Sequence, residues 1–274
     1  MAMAIGTFTG LFILGIGLLI LFFAFWNLKK FLKIKNTTHS KINSLSNGLV
    51  EINGTVVSEK TIKSPFSQSE CVYYKYDIQE YTLLNSRRTW KSVAMGHRSV
   101  PFFLKDETGF AYINPEKAEF YVNPKKVFSE HAGMFNSPIS LTKSLKKYDS
   151  GKADFNPDQL KLEPVDEDSE INFNGMLQSY MARLGDRMTR LGDHKYYEYY
   201  IKPDEVVYIL GTASKEPSLK SNILIQRGKN DKTFIISTDS TNELLSLLIL
   251  KMIIYFGIGG FLAVFSIVET LLQL

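Results

Sequence analysis

The sequence predicts a membrane-anchored β-rich (α+β) domain: an antiparallel sheet or small barrel with a helical insertion, flanked by two transmembrane helices. Three observations carry this prediction: an uncharged apolar run near each end of the chain, a series of short strand patterns between the runs, and one interruption of that series. The predicted boundaries are 4–27 for the first transmembrane helix, 28–46 for a basic juxtamembrane linker, 47–240 for the β-rich domain with an insertion at 136–195, and 244–269 for the second transmembrane helix.

The first apolar run extends from Ile5 to Trp26 without a charged residue. As a helix, its 22 residues would be about 33 Å long, which is enough to cross a hydrocarbon core of about 30 Å. A cleaved signal peptide would have basic residues before the run and small residues at its end, whereas this run ends in Phe25 and Trp26. We therefore predict an uncleaved membrane anchor.

The second apolar run extends from Met252 to Val268, between Lys251 and Glu269. A buried helix of a soluble domain is the alternative, but such a helix rarely lacks charge over 17 positions, so we predict a second span.

Small residues recur at four-residue spacing in both runs, as Gly6 with Gly10 and Gly259 with Ala263. Such spacing lets membrane helices approach closely. It predicts either pairing of the two spans or a homo-oligomer.

The net charge of +4 is confined to one short segment of the chain. Residues 1–35 contain four lysines and no acid, whereas residues 36–243 contain 27 basic and 27 acidic side chains. An electrically neutral domain argues against a nucleic-acid partner, which requires a basic face. The lysines follow the first span directly, so the positive-inside rule predicts a cytoplasmic domain with both ends of the chain outside. The residues predicted to lie at the interface with the lipid bilayer are Trp26, Lys29, Lys30, Lys33, Lys35 and Lys251.

Strand patterns dominate the region between the two runs. Apolar and polar residues alternate over Val72–Ile78, which predicts a half-buried strand. Phe102–Lys105 and Phe110–Ile113 predict a hairpin, with Gly109 in its turn. Val50–Val57 predicts either a hairpin at Asn53-Gly54 or one strand with a bulge at the glycine. Further strands are predicted at 118–122, 196–201, 205–210, 223–226 and 233–236.

The series of strands is interrupted between residues 136 and 195. Residues 149–174 are polar and contain Gly and Pro, which predicts a solvated loop. Apolar residues at helical spacing from Met176 to Leu191 then predict an amphipathic helix. This helix would pack on the sheet or, alternatively, lie on the membrane or on a partner.

The residue types that carry catalysis or bind metals are scattered along the chain. The four histidines are isolated in sequence and there is one cysteine, so we predict neither a metal site nor a cofactor. Cys71 with His97 as its base would be the alternative, a hydrolytic enzyme. Cys71 opens an apolar strand, where cysteine usually acts as a small buried hydrophobe, so we predict no catalytic residue.

Four segments, in this order along the chain, resemble the GIDE-type domain of the membrane-anchored mitochondrial E3 ubiquitin ligase family and its shorter, RING-less prokaryotic relatives. The segments are Ser64–Tyr74, Pro101–Gly109, Val206–Gly211 and Phe234–Ser237. In that family the domain lies between two membrane helices and binds partners beside the membrane.

The resemblance implies a partner-binding role for the first of these segments and for the aromatic residues that follow it. The partner-binding residues predicted in this way are Ser64, Pro65, Phe66, Cys71, Tyr73 and Tyr74. In the ligases, ubiquitin transfer depends on a zinc-binding RING, which one cysteine cannot build, so we do not expect ligase activity from this chain alone. The family arrangement also implies a domain outside the cytoplasm, which is the alternative to the orientation predicted from the lysines.

Taken together, these patterns predict a non-catalytic two-span membrane protein whose domain binds an unidentified protein or lipid beside the bilayer. The alternatives are a component of a ligase-like or hydrolytic activity and an oligomeric membrane scaffold.

Overall fold

Two long apolar helices stand near the ends of the chain. The computed structural model describes residues 2–130, 138–160, 162–164, 190–219, 221–239 and 241–272. Its α-helices are α1 (Ala2–Asn36), α2 (Pro138–Asp149) and α3 (Thr241–Leu272), and short 3-10 helices occur at Ile42–Ser44 and Pro157–Gln159. Gly10–Asn36 and Asn242–Thr270 are helical segments long enough and apolar enough to cross a membrane.

Helices α1 and α3 pack against each other in antiparallel orientation. The rings of Phe25 and Phe256 meet edge to face with centroids 5.3 Å apart, and Ser266 Oγ donates a hydrogen bond to the carbonyl oxygen of Gly10. Between these contacts, a Cβ atom on Gly17 would lie 3.1 Å from the carbonyl oxygen of Gly259. Glycine at both positions therefore permits the close approach of the two backbones.

The residues between the helices form two main sheets. The strands of the described residues are β1 (Gly48–Val57), β2 (Ile62–Lys63), β3 (Glu70–Cys71), β4 (Tyr73–Leu84), β5 (Arg87–Ser99), β6 (Phe102–Lys105), β7 (Phe110–Ile113), β8 (Glu119–Tyr121), β9 (Lys126–Glu130), β10 (Glu163–Pro164), β11 (His194–Ile201), β12 (Val206–Lys215), β13 (Ile223–Gln226) and β14 (Ile235–Ser237).

Five strands close into a small barrel in the order β1-β6-β7-β13-β12-β1. All of these pairings are antiparallel except that of β7 with β13. This is the five-stranded Greek-key arrangement of OB-fold barrels. On the same edge of β12 as β13, β14 pairs with Tyr208–Leu210, and β8 then pairs with β14. The sequence left an antiparallel sheet and a small barrel open, and the structure shows the barrel.

Strand β1 is continuous through Asn53-Gly54, where the sequence left a hairpin or a bulge open. The strand changes partners there: Gly54 pairs with Val207 of β12, and Val56 pairs with Leu104 of β6. A Cβ atom on Gly54 would lie 2.5 Å from the carbonyl oxygen of Lys105. The glycine is therefore required for the close packing of strands at the barrel seam.

The barrel encloses the main hydrophobic core, and every second residue of its strands contributes to that core. Val50, Ile52 and Val56 of β1 point inward, while Leu49 and Glu51 lie on the outer face. The other inward residues include Phe102, Leu104, Ala111, Ile113, Val207, Ile209, Ala213, Ile225, Phe234 and Ile236.

The second sheet has the order β10-β9-β11-β4-β5 and is built around the long hairpin of β4 and β5. Asn85 and Ser86 form its two-residue turn with positive φ angles of 48° and 64°. The β4–β5 register shifts after Ile78. A second hydrophobic core lies on this sheet, beneath α2, and consists mainly of aromatic side chains: Phe66, Tyr74, Tyr76, Tyr148, Phe155, Tyr196 and Tyr200.

The insertion differs in part from the prediction. The polar stretch predicted as a solvated loop contains a 3-10 helix, and Phe155 within it is buried in the second core. Helix α2 begins before that stretch, and its Leu145 and Tyr148 pack into the same core. The amphipathic helix predicted at 176–191 falls almost entirely outside the described residues.

The domain end of each long helix packs on the outer face of the barrel. Ile34 of α1 and Leu244 of α3 belong to a buried cluster with Tyr208 and Ile235, which point outward from β12 and β14. Residues 28–36 therefore continue α1, where the sequence predicts the start of a linker. Ile34 is buried against the barrel and Phe31 packs beside it, and this burial stabilises the last turns of the helix.

Candidate functional site

The predicted partner-binding residues lie inside the domain. Ser64, Pro65 and Phe66 are buried in the loop between β2 and β3, and Cys71, Tyr73 and Tyr74 are buried where β3 and β4 meet the two cores. The described structure therefore gives these residues a role in packing. Partner binding through them stays a prediction.

The loop that contains Ser64 and Phe66 encloses the buried carboxylate of Glu198. The backbone N–H of Phe66 donates to Glu198 Oε1 at 2.8 Å, and the backbone N–H of Ser67 lies 3.2 Å from Oε2. Burial raises the pKa of Glu198, and the hydrogen bonds from Ser67 and Phe66 oppose that shift. The polar residues of the motif thus satisfy an internal charge on β11, 132 positions away in the chain.

Cys71 has the environment of an unreactive thiol. Its Sγ donates to the carbonyl oxygen of Ile62 at 3.4 Å, and its side chain is fully buried. Burial, followed by the nearby charge of Glu198, raises the pKa of Cys71 to about 12. Since the thiolate is the nucleophilic form, this environment disfavours Cys71 as the nucleophile of a hydrolytic enzyme.

Tyrosines of β4 join the second sheet to the barrel sheet and to α2. The ring of Tyr73 stacks on Phe120 of β8 with centroids 3.6 Å apart, which joins the barrel sheet to the second sheet. The hydroxyls of Tyr74 and Tyr76 donate to the two oxygens of Asp149 at 3.0 and 2.9 Å, which fixes the end of α2.

Among the described residues, some of the lysines predicted at the membrane interface form ion pairs with acidic residues of the domain, and the others do not. Lys30 and Lys33 of α1 form ion pairs with Glu119 and Asp231 of the domain, at 2.5 and 2.6 Å. Lys29 lies exposed on the same helix.

The remaining residues predicted at the interface face aromatic rings or solvent. Lys35 Nζ lies 5.9 Å from the ring centroid of Phe31, and Lys251 Nζ lies 5.8 Å from that of Tyr121. Trp26 is 55% exposed. Lys251 therefore turns toward β8 of the domain.

One aromatic surface of the barrel is exposed, and sequence reasoning did not identify it. Phe103 and Lys105 of β6 and Phe110 and Tyr112 of β7 point away from the core. The rings of Phe103 and Tyr112 meet edge to face at 5.3 Å, Lys105 Nζ lies 5.6 Å from the ring centroid of Phe110, and Phe110 is 44% exposed. The alternation in the predicted hairpin could have indicated this surface. If Phe102 and Leu104 point inward, Phe103 and Lys105 must lie on the outer face.

This surface borders an open cleft of about 370 Å³. The cleft is lined by Val57, Glu59, Phe103, Phe110 and Ser221. Exposed aromatic rings around a concave apolar surface are typical of protein–protein contact sites. We call Phe103, Lys105, Phe110 and Tyr112 the aromatic face.

In the part of the chain that the structure describes, no group of three or more His, Cys, Asp or Glu side chains is placed to hold a metal ion. Comparison with known proteins found no matching protein-family model, no matching curated protein and no matching solved structure.

Proposed function

We propose that this chain is a two-span membrane protein that presents its β-rich domain beside the bilayer, where the domain binds a protein partner without catalysing a reaction. The observation that carries the proposal is the exposed apolar surface of the paired helices. Phe12 of α1 and Phe261 of α3 are 70% and 69% exposed, and large apolar side chains are exposed along both helices. Exposure of so large an apolar surface to water is unfavourable, whereas the hydrocarbon core of a bilayer would cover it.

The polar residues of α3 fit the thickness of a bilayer. Lys251 and Glu269 bound 17 uncharged residues, which extend about 26 Å along the helix. Since Phe25 faces Phe256 and the two helices are antiparallel, Lys251 lies about 6 Å closer to the domain than Trp26 along the helix pair. Trp and Lys are residues typical of membrane interfaces, so the proposed boundary on the domain side lies between Trp26 and Lys251.

For the orientation, we propose that the domain faces the cytoplasm of a prokaryotic cell, with the outside as the alternative. The supporting observation is the excess of lysine after the first span. Ion pairing of Lys30 and Lys33 leaves Lys29 and Lys35 as the exposed members of that group.

The aromatic face is the proposed partner surface. Aromatic side chains dominate the energetics of protein interfaces because they bury a large area at small entropic cost. The environment of Cys71 supports a non-catalytic domain, because a buried thiol with a raised pKa is a poor nucleophile. The resemblance to the GIDE-type domain stays a prediction.

The test uses the full chain, tagged, cross-linked in native membranes and purified in mild detergent. Phe103→Ala and Phe110→Ala remove rings from the aromatic face, and Met95→Ala on β5, where Met95 is 65% exposed, is the matched control. We expect the wild type and the control to capture the same protein, and each aromatic variant to lose about tenfold or more of it. Equal capture by all four chains would contradict the proposed surface. Extraction of the wild type by alkaline carbonate would contradict the membrane spans.

A further inference from the structure

Two neighbouring loops of the barrel sheet form a groove beside α1. They are residues 114–118 between β7 and β8 and residues 227–234 between β13 and β14. The backbone N–H of Asn114 donates to the carbonyl oxygen of Ile225 at 3.0 Å, and the backbone N–H of Glu119 donates to that of Phe234 at 2.8 Å. The loops therefore run side by side, and the groove between them has a volume of about 490 Å³.

The groove has an excess of positive charge, although the domain as a whole is neutral. Its charged lining residues are Lys117, Arg227, Lys229 and Lys232, opposed by Glu116. Glu116 lies 3.6 Å from Lys117 and neutralises one of these four cations. Asp231, the acidic residue of the longer loop, is paired with Lys33 instead. We call this site the basic groove.

The polar groups of the basic groove are suited to an anion with several oxygens. Arg227 Nε donates to the carbonyl oxygen of Lys232 at 3.1 Å, which orients the guanidinium. Asn114 Oδ1 accepts from the backbone N–H of Glu116 at 3.3 Å, which makes its side-chain nitrogen the donor toward other groups. Gln226 adds a second amide to the lining. Arginine and lysine around amide donors are the groups that bind phosphate.

Both loops are attached to the turn of α1 that follows the proposed membrane boundary. Glu119, directly after the first loop, pairs with Lys30, and Asp231 of the second loop pairs with Lys33. These lysines lie four and seven residues beyond Trp26, or about 6 and 10 Å along the helix. The headgroup layer on each side of a bilayer is about 5–8 Å thick, so the basic groove lies at its edge.

We propose that the basic groove binds the phosphate of an anionic lipid headgroup. The inference rests on the proposed membrane spans, because α1 brings the groove to the bilayer surface. A lipid is favoured over a free phosphate because the groove is open and adjoins the helix that the bilayer surrounds. Bound lipid would fix the height of the barrel above the membrane and thereby the position of the aromatic face.

The test measures lipid binding by the full chain in mild detergent, by native mass spectrometry. The probes are phosphatidylglycerol, phosphatidylcholine and inorganic phosphate. The test variant combines Lys117→Gln, Lys229→Gln and Lys232→Gln, and the control combines Lys143→Gln, Lys146→Gln and Lys147→Gln. The control also removes three exposed lysines, all from α2 on the second sheet.

We expect the wild type and the control to bind phosphatidylglycerol in preference to phosphatidylcholine. The test variant should bind phosphatidylglycerol about tenfold or more weakly, since each basic residue near an anionic surface contributes roughly a fivefold change. Equal phosphatidylglycerol binding by wild type and test variant would overturn the proposal, as would inorganic phosphate that competes at equal concentration. Carbonate extraction of the membranes from which the chains are purified separates the two failures, because a chain that stays in the membrane but shows no lipid preference contradicts only the basic groove.

Discussion

Lys33 of α1 donates a hydrogen bond from Nζ to Asp231 Oδ1 at 2.6 Å and to Thr233 Oγ1 at 2.8 Å. Lys33 and Asp231 are 198 positions apart, so this contact joins the N-terminal helix to the barrel domain. Burial alone would raise the pKa of Asp231, but the hydrogen bonds from Lys33 and Thr233 outweigh it and lower that pKa. The domain is thus attached to the helix by directional polar contacts as well as by the apolar cluster around Ile34.

The Lys33–Asp231 pair should contribute a small, measurable coupling energy. Both side chains are partly exposed, at 40% and 31%, and ion pairs of this kind contribute about 0.2–1 kcal/mol. A double-mutant cycle with Lys33→Gln and Asp231→Asn, read by thermal unfolding of the full chain in detergent, measures it. Strictly additive effects of the two substitutions would contradict a direct interaction.

Replacing Gly17 by leucine should separate α1 from α3. A Cβ atom on Gly17 would lie 3.1 Å from backbone atoms of Gly259 and Ala263, so a large side chain forces the helices apart at a cost of about 1–3 kcal/mol. The matched control is Gly257→Leu, because a Cβ atom there meets nothing within 4 Å.

The readout for the helix pair is cross-linking of Phe25→Cys to Phe256→Cys by a short, membrane-permeant bifunctional methanethiosulfonate, in a Cys71→Ala background. The native rings are 5.3 Å apart, so we expect cross-linking in this background and with Gly257→Leu, and reduced cross-linking with Gly17→Leu. Equal yields with both leucine variants would show that the helices do not meet at Gly17.

Glu198 should make the domain less stable as the pH rises. Its pKa in the folded state lies above the ordinary value of 4.5, so the folded chain binds more protons than the unfolded chain between those two values. The free energy of unfolding therefore falls as the pH rises from about 4.5 through the folded-state pKa.

Glu198→Gln removes this titration and keeps an oxygen that accepts from Phe66. Its stability relative to the wild type should improve as the pH rises through that window, measured by thermal unfolding in detergent at a series of pH values. The exposed Glu70→Gln is the control. A difference between Glu198→Gln and wild type that is constant with pH would mean that Glu198 has the same pKa in both states.

Cys71 should resist alkylation in the folded chain. Its burial and its pKa of about 12 leave very little accessible thiolate at pH 8. Mass spectrometry after iodoacetamide treatment should find an unmodified native chain and complete modification in denaturant. Modification of the native chain at the denatured rate would reveal an accessible thiol and restore the hydrolytic alternative.

The local elements of the fold could be predicted because their signals are local. The hairpin of Phe102–Lys105 with Phe110–Ile113 has the predicted residues, since alternation and Gly109 lie within twelve positions. Barrel closure could not be predicted, because it depends on pairing β1 with β12, whose first paired residues, Gly48 and Ala213, are 165 positions apart.

The roles of the predicted site residues were also hard to predict, because they depend on contacts between residues far apart in the chain. The serines and backbone amides after Ser64 suggest a polar binding loop, but the carboxylate that they satisfy, Glu198, belongs to the same chain. Lys30 and Lys33 suggest contact with lipid headgroups, but their nearest acids are Glu119 and Asp231 of the domain. In both cases the composition of the segment correctly indicated polar or ionic contacts. The residues that make those contacts are distant in sequence, so only the tertiary structure identifies them.

The depth of Phe261 is the most direct test of the two-span account. Phe261 is 69% exposed and lies near the middle of the uncharged segment between Lys251 and Glu269. A spin label at Phe261→Cys, in a Cys71→Ala chain reconstituted into liposomes, should be accessible to dissolved oxygen and protected from a water-soluble nickel chelate. The same label at the exposed Met95→Cys of β5 should show the opposite preference. Free access of the nickel chelate to the label at position 261 would contradict the membrane location of α3 and, with it, the proposed function.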